Sequence, residues 1–415
     1  MQIAAVAAGN ALEYYDFSTY AYFAVYIGRT FFPSAHGGAS LLAALAAFGA
    51  GFITRPLGAI VIGRFGDRAG RKPALQISFV LMGLAVLGLG LTPSYKSIGI
   101  AAPILVVAFR LLQGFALGGE SGPSTSFLFE VAPANRRGLF VSLQYVGSGL
   151  AALCAGLIGV GLASMFDAKG LEQYGWRVAM LIGVLIVPVG FALRRGLPET
   201  LHLPDDSISE QRLGSGSYKT AAVLSLVLMS SGITVSYILR YMTTYAIVTL
   251  HMPAGLAFGG TAIGGIVGML CCPLGGAISD RFGRKPAMIV PWLVLLAVLL
   301  PCFYLMDHER TAMALYFVVA LLGGVGTLGS IAILATVTES LPRHVRSGAF
   351  ALIYAVSVAV FGGSAQFMAA WLTTATHSQL APAWYTMLAV GIGLIPMVCR
   401  RETAPLAVAL SRAST

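Results

Sequence analysis

About twelve apolar stretches, each of roughly 20 residues, tile almost the whole chain, and a stretch of that length crosses a bilayer as one helix. In lipid each segment must satisfy its own backbone hydrogen bonds, which favours helices. Composition agrees: 57% of residues are hydrophobic and 10% are charged, where an ordinary soluble chain carries about a quarter charged residues. Fifty glycines would weaken soluble helices, but between membrane helices they permit close packing. The expected helices cover 2–29, 40–63, 73–92, 100–129, 138–165, 175–194, 219–249, 255–279, 285–306, 311–338, 346–374 and 382–400. The fold class read from this pattern is an all-α membrane protein.

The net charge of +10 does not mark a nucleic-acid binder, because the charge is sorted across the membrane. Of the 26 Lys and Arg, 18 fall in the loops 64–72, 136–137, 194–219, 281–285 and 343–346 or from residue 400 onward. Five (Arg29, Lys96, Lys169, Arg177, Arg310) fall on the other side, and three lie within helices. The positive-inside rule makes the basic loops cytoplasmic, and an even helix count puts both termini there. Cys154, Cys271, Cys272, Cys302 and Cys399 sit mostly in apolar runs without paired spacing, which reads as free thiols. The first apolar stretch carries Glu13 and Asp16 and does not read as a signal peptide.

Two loop motifs recur. GRFGDRAGRKPA at 63–74 is echoed by GAISDRFGRKPA at 276–287, and EVAPANRRG at 130–138 by ESLPRHVRSG at 339–348. A repeat in the same order at nearly the same offset divides the chain into bundles over 1–194 and 219–415, joined by a polar cytoplasmic linker at 195–218. In the first motif pair, Gly66, Gly70 and Gly283 permit a tight turn, and Asp67 and Asp280 are suited to cap or pair at a helix N-terminus. Arg68, Arg71, Arg281 and Arg284 can pair with these acids and anchor to anionic lipid. These residues, with Glu130 and Glu339 at the cytoplasmic ends of the fourth and tenth helices, are expected to form a gate.

The G-x-x-x-D-R-x-G-R-K loop resembles the signature of the major facilitator superfamily, and the resemblance spans essentially the whole chain. It implies twelve helices in two pseudo-symmetric six-helix bundles, with substrate bound near the midplane and alternating access. GNALEYYDFSTYAYFA (9–24), RPLGAIVIGRFGDRAGRK (55–72) and RLLQGFALGGESGPS (110–124) look like that superfamily's metabolite:proton symporter branch, whose members carry citrate, 2-oxoglutarate, shikimate, proline or betaine. RTFFPS (29–34), SIGIAAPILVVAFRLLQGF (97–115) and LRRGLPET (193–200) look most like its citrate and tricarballylate carriers. The resemblance implies a multi-pass protein of the bacterial inner membrane, acting as a monomer on a small carboxylate, with the proton as coupling ion and no cofactor.

Charges inside membrane helices are costly and mark functional candidates. Six are expected deep: Glu13, Asp16, Glu120, Arg55, Arg110 and Arg240. Helical spacing groups Asn10, Glu13 and Asp16, flanked by Tyr14 and Phe17; Arg110, Gln113 and Glu120; and Tyr237, Arg240, Tyr241 and Thr244. All three faces can look into one central cavity. An arginine fork matches a carboxylate and stays charged. The candidate substrate contacts are Arg110, Arg240, Asn10, Tyr14, Gln113, Tyr237 and Gln144. Arg110 could equally pair with a first-helix acid, Arg240 could snorkel to lipid or a loop, and Arg55 reads as structural. Tyr145, Gln366 and Tyr354 could line the cavity or satisfy neighbouring helices. All six histidines fall in loops or near helix ends, so proton coupling passes to carboxylates, which respond to burial and to a neighbouring charge: Glu13 and Asp16 first, then Glu120.

GVGTLG at 324–329 lacks a preceding strand and is not a nucleotide site; no metal-ligand cluster and no catalytic constellation emerge. The primary reading is proton symport of a di- or tricarboxylate. Import of a zwitterion such as proline or betaine, or of a monocarboxylate such as shikimate, stays open. An efflux antiporter is disfavoured by the absence of proline from 143–162.

Overall fold

The computed structural model describes residues 11, 14–34, 37–118, 132–184, 215–341, 346–400 and 402, and every regular element among them is helical. Helix α1 covers residues 14–31, with one non-helical residue at Phe23. Helix α2 is split into Gly37–Ala50 and Arg55–Ala69. Then come α3 (Arg71–Leu91), α4 (Ala101–Gly118), α5 (Arg137–Met165) and α6 (168–184). The second half holds α7 (Ser215–Val248), α8 (Ala254–Phe282), α9 (Arg284–Glu309), α10 (Ala312–Glu339), α11 (346–376) and α12 (Ala381–Cys399). Nine of these helices are long and apolar enough to cross a membrane. The others, α1, α3 and α6, are described over shorter apolar lengths.

Boundaries differ most from expectation at the end of α2, which runs to Ala69 rather than 63, and at the starts of α6 and α7. Helix α6 starts at Ala168 rather than 175, because Asp167 caps it by accepting a hydrogen bond from the Gly170 amide at 2.7 Å. Helix α7 starts at Ser215, inside the expected linker 195–218, most of which lies outside the described residues.

The break in α2 falls at residues 51–54, where Pro56 has no amide to donate to the Phe52 carbonyl one turn back, and that carbonyl accepts instead from the Arg55 amide at 3.1 Å. It brings α2 against α4. A Cβ on Gly114 would stand 1.5 Å from the Gly51 carbonyl oxygen, and one on Gly58 1.9 Å from that of Phe115. Thr54 donates its hydroxyl to the Leu111 carbonyl across the same crossing. Two further seams join the halves. Antiparallel α5 and α8 meet with Gly138 opposite Gly276, Gly149 opposite Gly265 and Gly156 opposite Ala262. On the other side, Gly49 of α2 abuts Gly363 of α11. Small residues allow such backbone contact.

The repeat has a backbone counterpart. Gly70 and Gly283, equivalent in the two loop motifs, adopt φ 104° and 102°, a region open essentially to glycine alone. Gly283→Ala is expected to cost about 1–3 kcal/mol through backbone strain, and Gly114→Ala should destabilise more severely by forcing α2 from α4. Both should lower the melting temperature of the solubilised protein. Gly391→Ala, whose Cβ would meet nothing within 4 Å, should not.

Candidate functional site

A cavity of ≈ 200 Å³ lies between the halves, walled by α1, α5, α7, α8, α10 and α11. Arg240 of α7 is the charged side chain on its wall among the described residues. Its guanidinium is gripped from the other half: it donates to Ser18 of α1 at 2.6 Å and to Ser148 of α5 at 3.0 Å. It also lies over the rings of Tyr14 and Tyr237, 5.4 and 5.7 Å from their centroids. The Tyr14 hydroxyl meets that of Tyr354 on α11 at 2.9 Å, again joining the halves, and Tyr145 interacts with Tyr354 from α5. The wall also carries hydroxyls, including Thr243, Thr261, Thr327 and Ser330. The buried Ser330 hydroxyl has no hydrogen-bond partner among the described residues. Such a chamber can bind an anion through one cation and orient it through hydroxyls.

A second polar cluster lies inside the N-terminal half. Arg110, 1% exposed, donates to Gln113 and sits among the rings of Tyr20, Phe17 and Phe48 at 4.4, 5.0 and 5.0 Å. Asp16, 3% exposed, lies within its electrostatic reach. Neither carboxylate oxygen of Asp16, nor Nε and Nη2 of Arg110, has a hydrogen-bond partner among the described residues. Phe17 separates this pair from the cavity while touching Tyr237, at a centroid distance of 6.3 Å.

A third cluster closes the end of the molecule that carries the repeated loop motif. Asp280, at the end of α8, accepts hydrogen bonds from the Gly138 and Leu139 amides at 2.8 and 2.9 Å, capping α5 of the other half. Arg284, fully buried, pairs with Asp280 at 2.8 Å and grips Glu339 through two hydrogen bonds of 2.8 and 3.1 Å. Glu402 caps α9 by accepting from the Arg284 and Lys285 amides at 2.8 and 2.9 Å. On the outer side of the cavity, Phe23 of α1 packs on Phe258 of α8 at 4.7 Å.

Tyr14, Tyr237, Arg240, Tyr145 and Tyr354 therefore line the chamber. Arg110, Gln113 and Asp16 form a separate buried pocket rather than a wall of it, and Gln144 and Gln366 are buried between helices. Tyr241 and Thr244 are buried away from the cavity wall. Arg55 lies over the Tyr354 ring at 5.0 Å. Arg68 and Arg281 are exposed, outside the Arg284 network. Asn10, Glu13, Glu120 and Glu130, and the side chains of Asp67 and Arg71, lie outside the described residues. Sequence reasoning passed over Ser18 and Ser148. Each stands four residues after a named polar residue, Tyr14 and Gln144, and so shares its helix face.

Asp280→Ala removes the acceptor for both α5 amides and leaves Arg284 with one carboxylate. Spin labels at exposed Asn135 and Phe282 should then report a larger population with the loop-motif ends of α5 and α8 apart, while Arg281→Ala should leave the distances unchanged.

Known proteins bear on this geometry. The Major Facilitator Superfamily profile matches residues 6–365. The chain is 34% identical over 417 residues to the citrate-proton symporter of Salmonella typhi, covering 98% of this chain and 94% of that protein. It is 32% identical to the alpha-ketoglutarate permease of Escherichia coli strain K12, covering 96% and 93%, and 31% identical to the proline/betaine transporter of Salmonella typhimurium, covering 97% and 83%. In fold it matches the partially occluded, inward-open xylose transporter XylE from E. coli, with a TM-score of 0.77 at 18% identity over 97% of each chain. The chain belongs to the major facilitator superfamily and is a membrane transporter, not an enzyme.

Proposed function

We propose that this transporter imports a small organic anion with two or more carboxylates, citrate-like in class, by proton symport across a bacterial inner membrane. The observation that carries this reading is Arg240: a cation between the halves, held by neutral hydroxyls and aromatic faces alone among its described partners. No carboxylate lines the chamber among the described residues. An incoming anion gains a charge-assisted, bidentate partner without first breaking an ion pair. A quaternary ammonium ligand would want open aromatic faces, yet the guanidinium already covers Tyr14 and Tyr237. Relatives that carry citrate and 2-oxoglutarate support the same class.

The proton is assigned to Asp16. Its carboxylate is buried beside Arg110 and lacks hydrogen-bond partners among the described residues, so its charge state decides how Arg110 is compensated. Phe17, next in sequence and in contact with Tyr237, gives that change a packed route to the chamber. Alternating access follows from opening and closing the Asp280–Arg284–Glu339 contacts on the cytoplasmic side and the Phe23–Phe258 contact on the other. The basic loops orient both termini to the cytoplasm, and the chamber is complete within one chain.

Uptake into proteoliposomes with an acidic exterior tests the reading, with citrate, tricarballylate, 2-oxoglutarate, succinate, shikimate and betaine offered in turn. Arg240→Gln is expected to raise the KM for the carboxylate roughly tenfold or more through loss of a charged hydrogen-bonding partner. Asp16→Asn should retain substrate exchange while losing accumulation driven by the pH gradient. Transport of betaine with no carboxylate transported would overturn the assignment.

A further inference from the structure

Two arginines approach the tyrosine wall of the chamber by crossed routes. Arg240 belongs to α7 but stacks on Tyr14 of α1, at 5.4 Å. Arg55 belongs to α2 but stacks on Tyr354 of α11, at 5.0 Å. Each half thus lays its arginine on a tyrosine of the other, and the two tyrosines meet hydroxyl to hydroxyl at 2.9 Å. The series Arg240, Tyr14, Tyr354, Arg55 crosses between the halves three times. Both tyrosines line the chamber, as does Tyr237, and both Tyr14 and Tyr237 lie in the electrostatic field of both arginines. Arg55 is 8% exposed and stands behind Tyr354. Along the chain Arg55 stands 14 residues before the end of α2 at Ala69, and Arg240 25 residues after the start of α7 at Ser215.

Resting on the dicarboxylate or tricarboxylate reading above, we propose that Arg55 determines specificity as the anchor for a second carboxylate. The first carboxylate engages Arg240. The second lies against the hydroxyls of Tyr14 and Tyr354, with Arg55 supplying the charge behind them. The hydroxyl pair is suited to this exchange. In the pair one proton is shared between two oxygens, whereas a carboxylate placed between them accepts from both. Arginine suits the position because its flat, permanently charged group stacks on a ring and still presents donors at its edge. A monocarboxylate can use Arg240 alone, so Arg55 separates acids by their number of carboxylates and leaves the first point of attachment untouched.

The test compares glutarate, the carbon backbone of tricarballylate with its two end carboxylates, with glutaramate, in which one carboxylate becomes an amide of the same shape. Binding is measured calorimetrically on the purified full-length protein. The wild type should prefer glutarate by roughly tenfold or more, the scale of one charge-assisted contact. Arg55→Gln should reduce that preference to within about twofold by weakening glutarate alone. Arg240→Gln should weaken both ligands. Equal affinity of the wild type for the pair would overturn the proposal, as would an Arg55→Gln protein that keeps its preference or weakens both ligands alike. If Arg55→Gln does not purify as a monodisperse species, Arg55→Lys takes its place: loss of the fork should lower the preference at least about threefold, and an unchanged preference overturns the proposal. A wild type that binds betaine but neither acid overturns the proposed function and this inference with it. A wild type that binds both acids while Arg55 proves indifferent overturns the inference alone.

Discussion

Taking charge out of water is the constraint on which most of this architecture depends, because a buried ion must recover from the protein what it loses in hydration. The buried and half-buried arginines meet it with different partners. Arg284 takes two carboxylates and the Ser279 hydroxyl. Arg177 donates to the carbonyls of Gly90 and Thr92 and stacks on Trp176. Arg400 takes the Ala221 carbonyl and the hydroxyls of Ser225 and Ser340. Arg110 has Gln113 and three ring faces, with Asp16 nearby. The kind of partner separates the roles. Carboxylates neutralise Arg284 and make it a clasp between helices. Carbonyls fix Arg177 as a brace at a helix end. Arg240 stands in a cavity and is held by neutral hydroxyls, so its charge is available to whatever enters.

The loop motif ties the halves together rather than merely turning the chain. Asp280 caps a helix of the other half, and Arg284 holds that aspartate in place while reaching Glu339 on α10. Gly283 lets the backbone reverse within one residue, so α9 begins at once and its first amides meet Glu402. Gly70 repeats the same backbone reversal in the first half. The shared sequence is thus a shared geometry at the glycine, and the residues around it decide which helices are joined.

Much of this was legible before any coordinates. The helices could be read because lipid admits few other structures, and the capping role of Asp280 because a short acid beside a glycine turn has few alternatives at a helix end. That Arg240 would be drawn inside the bundle was legible because an arginine deep in an apolar helix has to be explained. Its partners were not. Ser18 and Ser148 are unremarked hydroxyls in apolar helices, and only helix packing decides that they converge on one guanidinium. The expected convergence of three polar faces on one cavity failed for a related reason. The crossing of Gly51 with Gly114 and of Gly58 with Phe115 and Gly118 draws α4 against α2, and Arg110 settles among Phe17 and Phe48, off the cavity wall together with Gln113. Helical spacing reports which residues share a face, but not which neighbour that face meets. The start of α6 was missed where Asp167, a local cap, was overlooked.

The glycine seam between α5 and α8 carries a mechanical consequence. Along most of its length two nearly bare backbones touch, with Gly138, Gly149 and Gly156 on one side and Gly276, Gly265 and Ala262 on the other. Interlocked side chains would have to unmesh for one helix to tilt against its neighbour, and each step would open voids. A seam without teeth behaves as a plain bearing: tilting it breaks few contacts and leaves little empty space. The friction opposing the movement then resides in a few polar clasps and aromatic contacts at either end. The Asp280 clasp and the Phe23–Phe258 contact hold those ends, while the long contact between the halves serves as the axle.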